Sequence, residues 1–208
     1  FFSTAIIDEV KEKIKEYGLR FGEKILFAAT HTHTAPYVNR FFGADPDKAF
    51  INGLVEKTAL ALVRAYNSLA PAEMLSAKTS CDTLAFNRRY FMKDGKVLTN
   101  PGKLNPKIVK PEGPIDSEIP VIAFRQDGIL SAVLVNIVNH TDTIGGDFVS
   151  ADWPGRMERE IQNSIGYDVP VITLIGCSGN INHFDVKSGD PQTSFTEACR
   201  IGKAYGNV

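Results

Sequence analysis

Histidine is scarce in this chain, with 4 imidazoles in 208 residues, and so are tryptophan, present once, and cysteine, present 3 times. The cysteines, Cys81, Cys177 and Cys199, are odd in number and widely spaced. Such a set builds neither a disulfide framework nor a zinc ribbon, and it favours a reducing compartment. No apolar run reaches the roughly 18 residues of a membrane span, so no transmembrane segment is expected. Charge of one sign is missing too: 23 basic residues stand against 24 acidic ones, for a net charge of -1. That balance gives no electrostatic reason to expect a nucleic-acid partner. The densest basic stretch, "GKLNPKIVKPEGP", is broken by prolines and reads as a solvated loop. The start, "FFSTAIIDEV", carries neither an initiator methionine nor a secretory-signal pattern, and the chain is expected to be a fragment of something longer.

What is there is ordinary globular material, 43% hydrophobic and 23% charged, enough for one sizeable core. Residues 1–208 are therefore expected to form a single α/β catalytic domain. The segment "TAIIDEVKEKIKEY" places Ile6, Ile7, Val10, Ile14 and Tyr17 on one helical stripe that stops at Gly18. The run "KILFAAT" reads as a buried strand, and a second helix is expected from Pro46 to Ser68, with Phe50, Leu54, Leu60, Leu62 and Val63 as its apolar residues. Asp-Gly pairs in "YFMKDGKVLT" and "IPVIAFRQDGILSAVLVNIVNH" sit between strand-like runs as hairpin turns do. A helix over "SADWPGRMEREIQNSI", a strand over "VPVITLIGC" and a helix over "TSFTEACRIGKAYG" follow. Hairpins interleaved with crossover helices predict an α/β fold with a mixed β-sheet, flanking helices and a strand-end histidine cluster.

The scarce histidines are not scattered. His31 and His33 follow an apolar run directly, in "LFAATHTHTAP", and residues two apart on a strand share a face. His140 closes the long run "SAVLVNIVNH", and His183 follows "VITLIGCSGNIN". In α/β sheets ligands gather beyond the carboxyl ends of the strands. A single histidine at such a place is ordinarily a hydrogen-bonded structural group. Four of four at strand ends, with Asp142, Asp147, Asp152 and Asp185 near enough to orient them, point instead to a metal site. Imidazole suits zinc, whose catalytic sites take about three protein ligands and a water.

The order and spacing of "ATHTHTAP", "FNRRY", "NHTDTIGGDFVSADWPG" and "GCSGNINHF" resemble the N-terminal catalytic domain of the neutral/alkaline non-lysosomal ceramidases. The match runs over residues 20–205, and the paired histidines are its most specific element. The resemblance implies a Zn2+-dependent amidase acting on the N-acyl bond of a lipid-like substrate. It implies further that His31 and His140 bind the zinc, and that His33 and Arg88 line its substrate side. The family's other zinc ligands, a glutamate and a tyrosine, have no counterpart within these 208 residues, so this chain alone is expected to bind zinc weakly and to be inactive.

Two departures from that family shape the expectation. Where its active members carry serine and proline, this chain has Asn182 and His183. Asparagine cannot be a nucleophile, so a covalent serine step is excluded there, and water activated by a metal remains open. His183 then becomes a candidate extra ligand or general base, and Asn182 and His183 join His33 and Arg88 as candidate catalytic residues. The family's Ser-Gly-Pro-Gly-Gly after the paired histidines is replaced by "TAPYVNRFFG", so the loop bordering the substrate differs. Elsewhere the plainer readings hold: "GCSGN" lacks the Lys-Ser/Thr of a phosphate loop, Cys177 reads as a small hydrophobe, and Trp153 packs the start of its helix. Two rivals remain. One is a barrel-type amidohydrolase, which also places His-X-His after its first strand but has parallel strands only, against the hairpins here. The other is a non-catalytic relative that binds a metal or a glycoconjugate.

Overall fold

The structure is a computed structural model that describes residues 3–41 and 43–208. Its contacts group the chain into two compact units, Phe1–Ala29 with Ala35–Pro71, and Thr30–Thr34 with Ala72–Val208.

The first unit is a pair of helices. In α1 (Thr4–Glu16), the Ser3 hydroxyl accepts from the Ile6 N–H, which satisfies one of the donors left free at a helix start. In α2 (Lys48–Asn67), the Asp47 carboxylate does the same for Phe50. Ile6 and Val10 of α1 pack on Val55 of α2, with Phe27, Val38, Ile51 and Leu62 closing around them. Tyr17, expected on the buried stripe of α1, is 40% exposed, and its hydroxyl bonds Glu56. The buried face of α2 is Val55 and Ala59, and Phe50 lies at the surface.

One expected strand is absent. Residues 25–30 of "KILFAAT" belong to no ladder, and Leu26 is 88% exposed. A strand requires a partner for its backbone groups. Here Phe27 is held instead by side-chain packing on the helices, and that leaves alternate positions to solvent.

The second unit carries nine strands and two helices: β1 (Glu73–Ser80), β2 (Phe86–Asn87), β3 (Arg89–Met92), β4 (Val97–Thr99), β5 (Ile108–Pro111), β6 (Glu118–Gln126), β7 (Ile129–Ile137), α3 (Asp152–Ile165), β8 (Val171–Ile175), β9 (Ile181–Asn182) and α4 (Phe195–Asn207). Both hairpins form at their Asp-Gly pairs, β3–β4 and β6–β7. At the second, Asp127 and Gly128 both have positive φ, 49° and 83°, as a two-residue primed turn requires. The main sheet runs β1–β6–β7–β8, antiparallel except for the parallel pair β7–β8 joined through α3. That is the expected mixed α/β sheet, and its antiparallel strands set it apart from a (β/α)₈ barrel. Two small ladders, β2–β9 and β4–β3–β5, flank it.

The core of this unit lies between the sheet and its helices: Ile119, Val133, Val135 and Ile137 from the strands, Trp153 and Met157 from α3, Ala198, Ile201 and Tyr205 from α4. Helices α3 and α4 approach so closely that a Cβ on Gly202 would lie 2.6 Å from the Trp153 carbonyl. This contact fixes the start of α3, and with it the loop that precedes it.

Candidate metal centre

The β7–β8 register pairs Ile137 with Ile175. Because the strands are parallel, both chains leave the sheet at one edge, and three residues later His140 stands beside Ser178. The Ser178 carbonyl lies 3.2 Å from His140 Nδ1. A carbonyl can only accept, so Nδ1 carries the proton and the lone pair is left on Nε2, the tautomer a metal needs. Gly176 permits the approach, since a Cβ there would meet Val138 Cγ2 at 2.6 Å.

The loop behind His140 is held by several buried hydrogen bonds, with Asn139 Oδ1 and Thr143 Oγ1 left without a partner among the described residues. Trp153, 0% exposed, donates its Nε1–H to the His140 carbonyl at 2.9 Å. Asp152, at φ 55°, is buried, and its carboxylate accepts from the N–H groups of Thr143, Ile144 and Trp153. The side-chain amide of Asn139 donates to the Leu84 carbonyl and to the Tyr205 hydroxyl.

The segment Thr30–Thr34 comes against this loop with its residues alternating in use. The Thr30 carbonyl accepts from the Thr141 hydroxyl at 2.7 Å, the Thr32 hydroxyl donates to the Ser150 carbonyl at 2.8 Å, and the Thr34 carbonyl accepts the Ser150 N–H at 3.0 Å. His31 and His33 take the positions between. His31 has a φ of 60°, a left-handed conformation uncommon outside glycine and concentrated at functional sites.

Three imidazoles meet as a result. Each of His31, His33 and His140 offers a ring nitrogen, and these nitrogens lie within 4.8 Å of one another. His31 Nε2 and His140 Nε2 are 3.2 Å apart. Two ligands at 2.0–2.1 Å on one tetrahedral zinc stand about 3.3 Å apart, so this pair already has the spacing of a shared ion. His33 is the outlying and exposed member, with its ring centroid 5.1 Å from that of His31 and 5.0 Å from that of His140. Burial, then the neighbouring imidazoles His140 and His33, lower the pKa of His31. Burial also lowers that of His140, against the opposing effect of the Ser178 carbonyl. Both are thereby favoured as neutral donors, the state in which imidazole ligates.

Arg88 reaches the same place from β2. Its Nε and Nη2 both donate to the Gly179 carbonyl, at 3.0 and 2.6 Å, and its charge contributes to lowering the pKa of His140. One turn, Ser178–Gly179, thus holds His140 and Arg88 together.

Asn182 and His183 stand differently. His183 follows the short strand β9 rather than the end of β8, and it is not among the three grouped histidines. It is 2% exposed, with Nε2 2.6 Å from the Gln192 carbonyl and Nδ1 3.1 Å from Asp142 Oδ1. Burial works to raise the pKa of Asp142. The His183 hydrogen bond and the nearby imidazoles outweigh it and hold this carboxyl below its usual range. Asn182 is wholly buried, donating to Asn100 Oδ1 at 3.2 Å and accepting from the Phe184 N–H at 3.2 Å.

Of the four acids expected to orient histidines, Asp142 holds His183 and Asp152 holds backbone. Asp185 caps the Lys187 N–H, and Asp147 sits on an exposed loop. The group that orients His140 is a backbone carbonyl, which residue identity does not reveal. Thr141 and Ser150 also carry no motif of their own, and the strict Thr-His-Thr-His-Thr alternation of residues 30–34 is the sequence signal nearest to their roles.

The fold and the histidine cluster together define a mixed α/β domain built to gather imidazoles at one edge of its sheet. Ceramidases are among the solved structures that share this fold. Neutral ceramidase from Pseudomonas aeruginosa superimposes with a TM-score of 0.69 over 98% of this chain, at 18% identity. A ceramidase complexed with C2 superimposes with a TM-score of 0.70 over 98% of this chain, at 19% identity. The chain spans about a third of the length of each, 34% and 33%. No family model and no curated protein matches the sequence.

Proposed function

We propose that this chain is the histidine-bearing part of a zinc-dependent hydrolase of the ceramidase type, which cleaves an N-acyl bond in a lipid-like substrate. The observation that carries the reading is the His31–His140 pair, whose Nε2 atoms are spaced for one ion inside a fold shared with ceramidases.

In this reading His31 and His140 hold Zn2+. Zinc supplies Lewis acidity at a carbonyl oxygen and a water that ionises near neutral pH. Arg88 turns its guanidinium edge not used by Gly179 toward the oxygen on which negative charge develops, an electrostatic role that needs no proton transfer. His33, exposed beside the pair, takes a proton from water and returns it to the leaving amine, as positioned imidazoles do. Asn182 and His183 support the site from behind through Asn100, Gln192 and Asp142. A covalent enzyme intermediate at position 182 has no nucleophile to form it.

The test is hydrolysis of a panel of N-acyl substrates, short and long in chain, by the full-length protein before and after chelation, with zinc added back. Turnover lost on chelation and restored by zinc is expected. Zinc binding without turnover on any substrate would make this a metal-binding relative that is not an enzyme. No change on chelation would remove the metal from the reaction.

A further inference from the structure

The two segments that carry His31 and His140 lie 109 residues apart in sequence, yet their Nε2 atoms stand 3.2 Å apart. We infer that Thr141 is a positioning residue for this spacing, tying the His31 segment to the His140 loop through a partly buried hydrogen bond. The inference rests on the zinc reading above.

Thr141 directly follows His140, and Thr30 directly precedes His31. The Thr141 hydroxyl, 0% exposed, donates to the Thr30 carbonyl at 2.7 Å, so the bond joins the backbones one residue from each imidazole. The other ties of the segment, Thr32 and Thr34 to Ser150, lie on the far side of His31 and reach a part of the loop ten residues from His140. On the His140 side Trp153 holds the carbonyl and Ser178 the ring.

The Thr30 carbonyl also precedes the left-handed turn at His31. A residue held at φ 60° without glycine's freedom persists only where neighbours enforce it. Thr141 is the neighbour placed to do so. Zinc ligation tolerates only a few tenths of an ångström in ligand distance, so a relaxation of this turn by 1 Å takes His31 out of range.

The experiment compares zinc affinity of the full-length protein with that of its Thr141→Val and Thr141→Ser variants, by competition against a chromophoric chelator. Cobalt substitution is followed in parallel by its visible spectrum. Valine keeps the shape and deletes the donor, whereas serine keeps the donor. Thr141→Val is expected to weaken zinc by about tenfold or more, the scale for residues that orient ligands, and to change the cobalt band. Thr141→Ser is expected to stay within about threefold of the unsubstituted protein. If Thr141→Val does not fold, Thr141→Ala, which lets water reach the Thr30 carbonyl, is measured in its place with the same expectation. A folded donorless variant that binds zinc as tightly as the unsubstituted protein overturns the role of Thr141 and leaves the metal centre standing. Absence of zinc binding in the unsubstituted protein overturns both.

Discussion

Gly176→Ala tests how the sheet builds the site. The added Cβ would lie 2.6 Å from Val138 Cγ2, where carbons at rest sit about 3.5–4.0 Å apart. Roughly 1 Å must be found. Val138 is 6% exposed and packed among Ala85, Ile181 and Ile115, so it has little room to give. Position 176 is outside the left-handed region, which leaves the clash as the whole effect. The shift therefore falls on the Gly176–Ser178 turn. The Ser178 carbonyl is already 3.2 Å from His140 Nδ1, and a displacement of that size breaks the bond. Overpacking of this kind costs about 1–3 kcal/mol, a drop in Tm of roughly 2–12 °C for a chain of this length. Loss of the ring's orienting partner weakens metal binding by about 10- to 100-fold. Calorimetry and chelator competition read the two effects separately. In the double variant Gly176→Ala/Val138→Ala the offending methyl is gone. Zinc affinity should recover there while the Tm stays low, because the core has lost a side chain. A Gly176→Ala protein that loses stability but keeps its zinc affinity, or a double variant that recovers none of it, would refute the link from register to ring.

Acidification should weaken the site from two directions. The folded pKa values of His31 and His140 lie below 6.5, so the unfolded chain binds more protons once the pH falls past 6.5. Tm of the metal-free chain should therefore decline from that pH downward until the folded pKa values are passed. Zinc affinity should fall over the same range, and a flat profile that His31→Gln/His140→Gln does not alter would count against it. Asp142 acts lower on the scale: its depressed pKa gives stability that is present above its unfolded value near 3.8 and lost as pH drops through the folded value. His183→Ala should destabilise by about 1–3 kcal/mol by leaving the partly buried Asp142 carboxylate without its hydrogen-bond partner, with zinc affinity of the folded fraction little changed. A stable variant with turnover reduced by about 100-fold would instead place His183 in the proton transfers.

The strongest signals in the sequence were those with a single physical reading. The Asp-Gly turn at 127–128 between long β-branched arms could only be a hairpin; "LFAATHTHTAP" and "SAVLVNIVNH" supply three imidazoles that meet, although no strand precedes His31 among the described residues and the fourth histidine, His183, stands apart. "KILFAAT" misled because an apolar run states that burial is wanted and not which partner supplies it; Phe27 found helices. His183 was legible as a residue and not as a neighbour, since its place depends on the two-residue ladder β2–β9, too short for any periodicity to show. Carbonyls such as those of Ser178 and Gly179 are common to all residues, so the groups that hold His140 and Arg88 left no trace in the alphabet.

The parallel pairing of β7 with β8 has a bearing beyond architecture. Slipping β8 by one residue would present Cys177 or Gly179 to His140 in place of Ser178, about 3.3 Å away and with the carbonyl turned to the opposite side. Affinity for an ion at the sheet's edge is thus a measure of alignment deep in the hydrophobic interior. Substitutions at Val133, Val135 or Val171, which lie in the sheet and not in the histidine cluster, should become legible from outside as changes in how firmly the proposed site holds an ion.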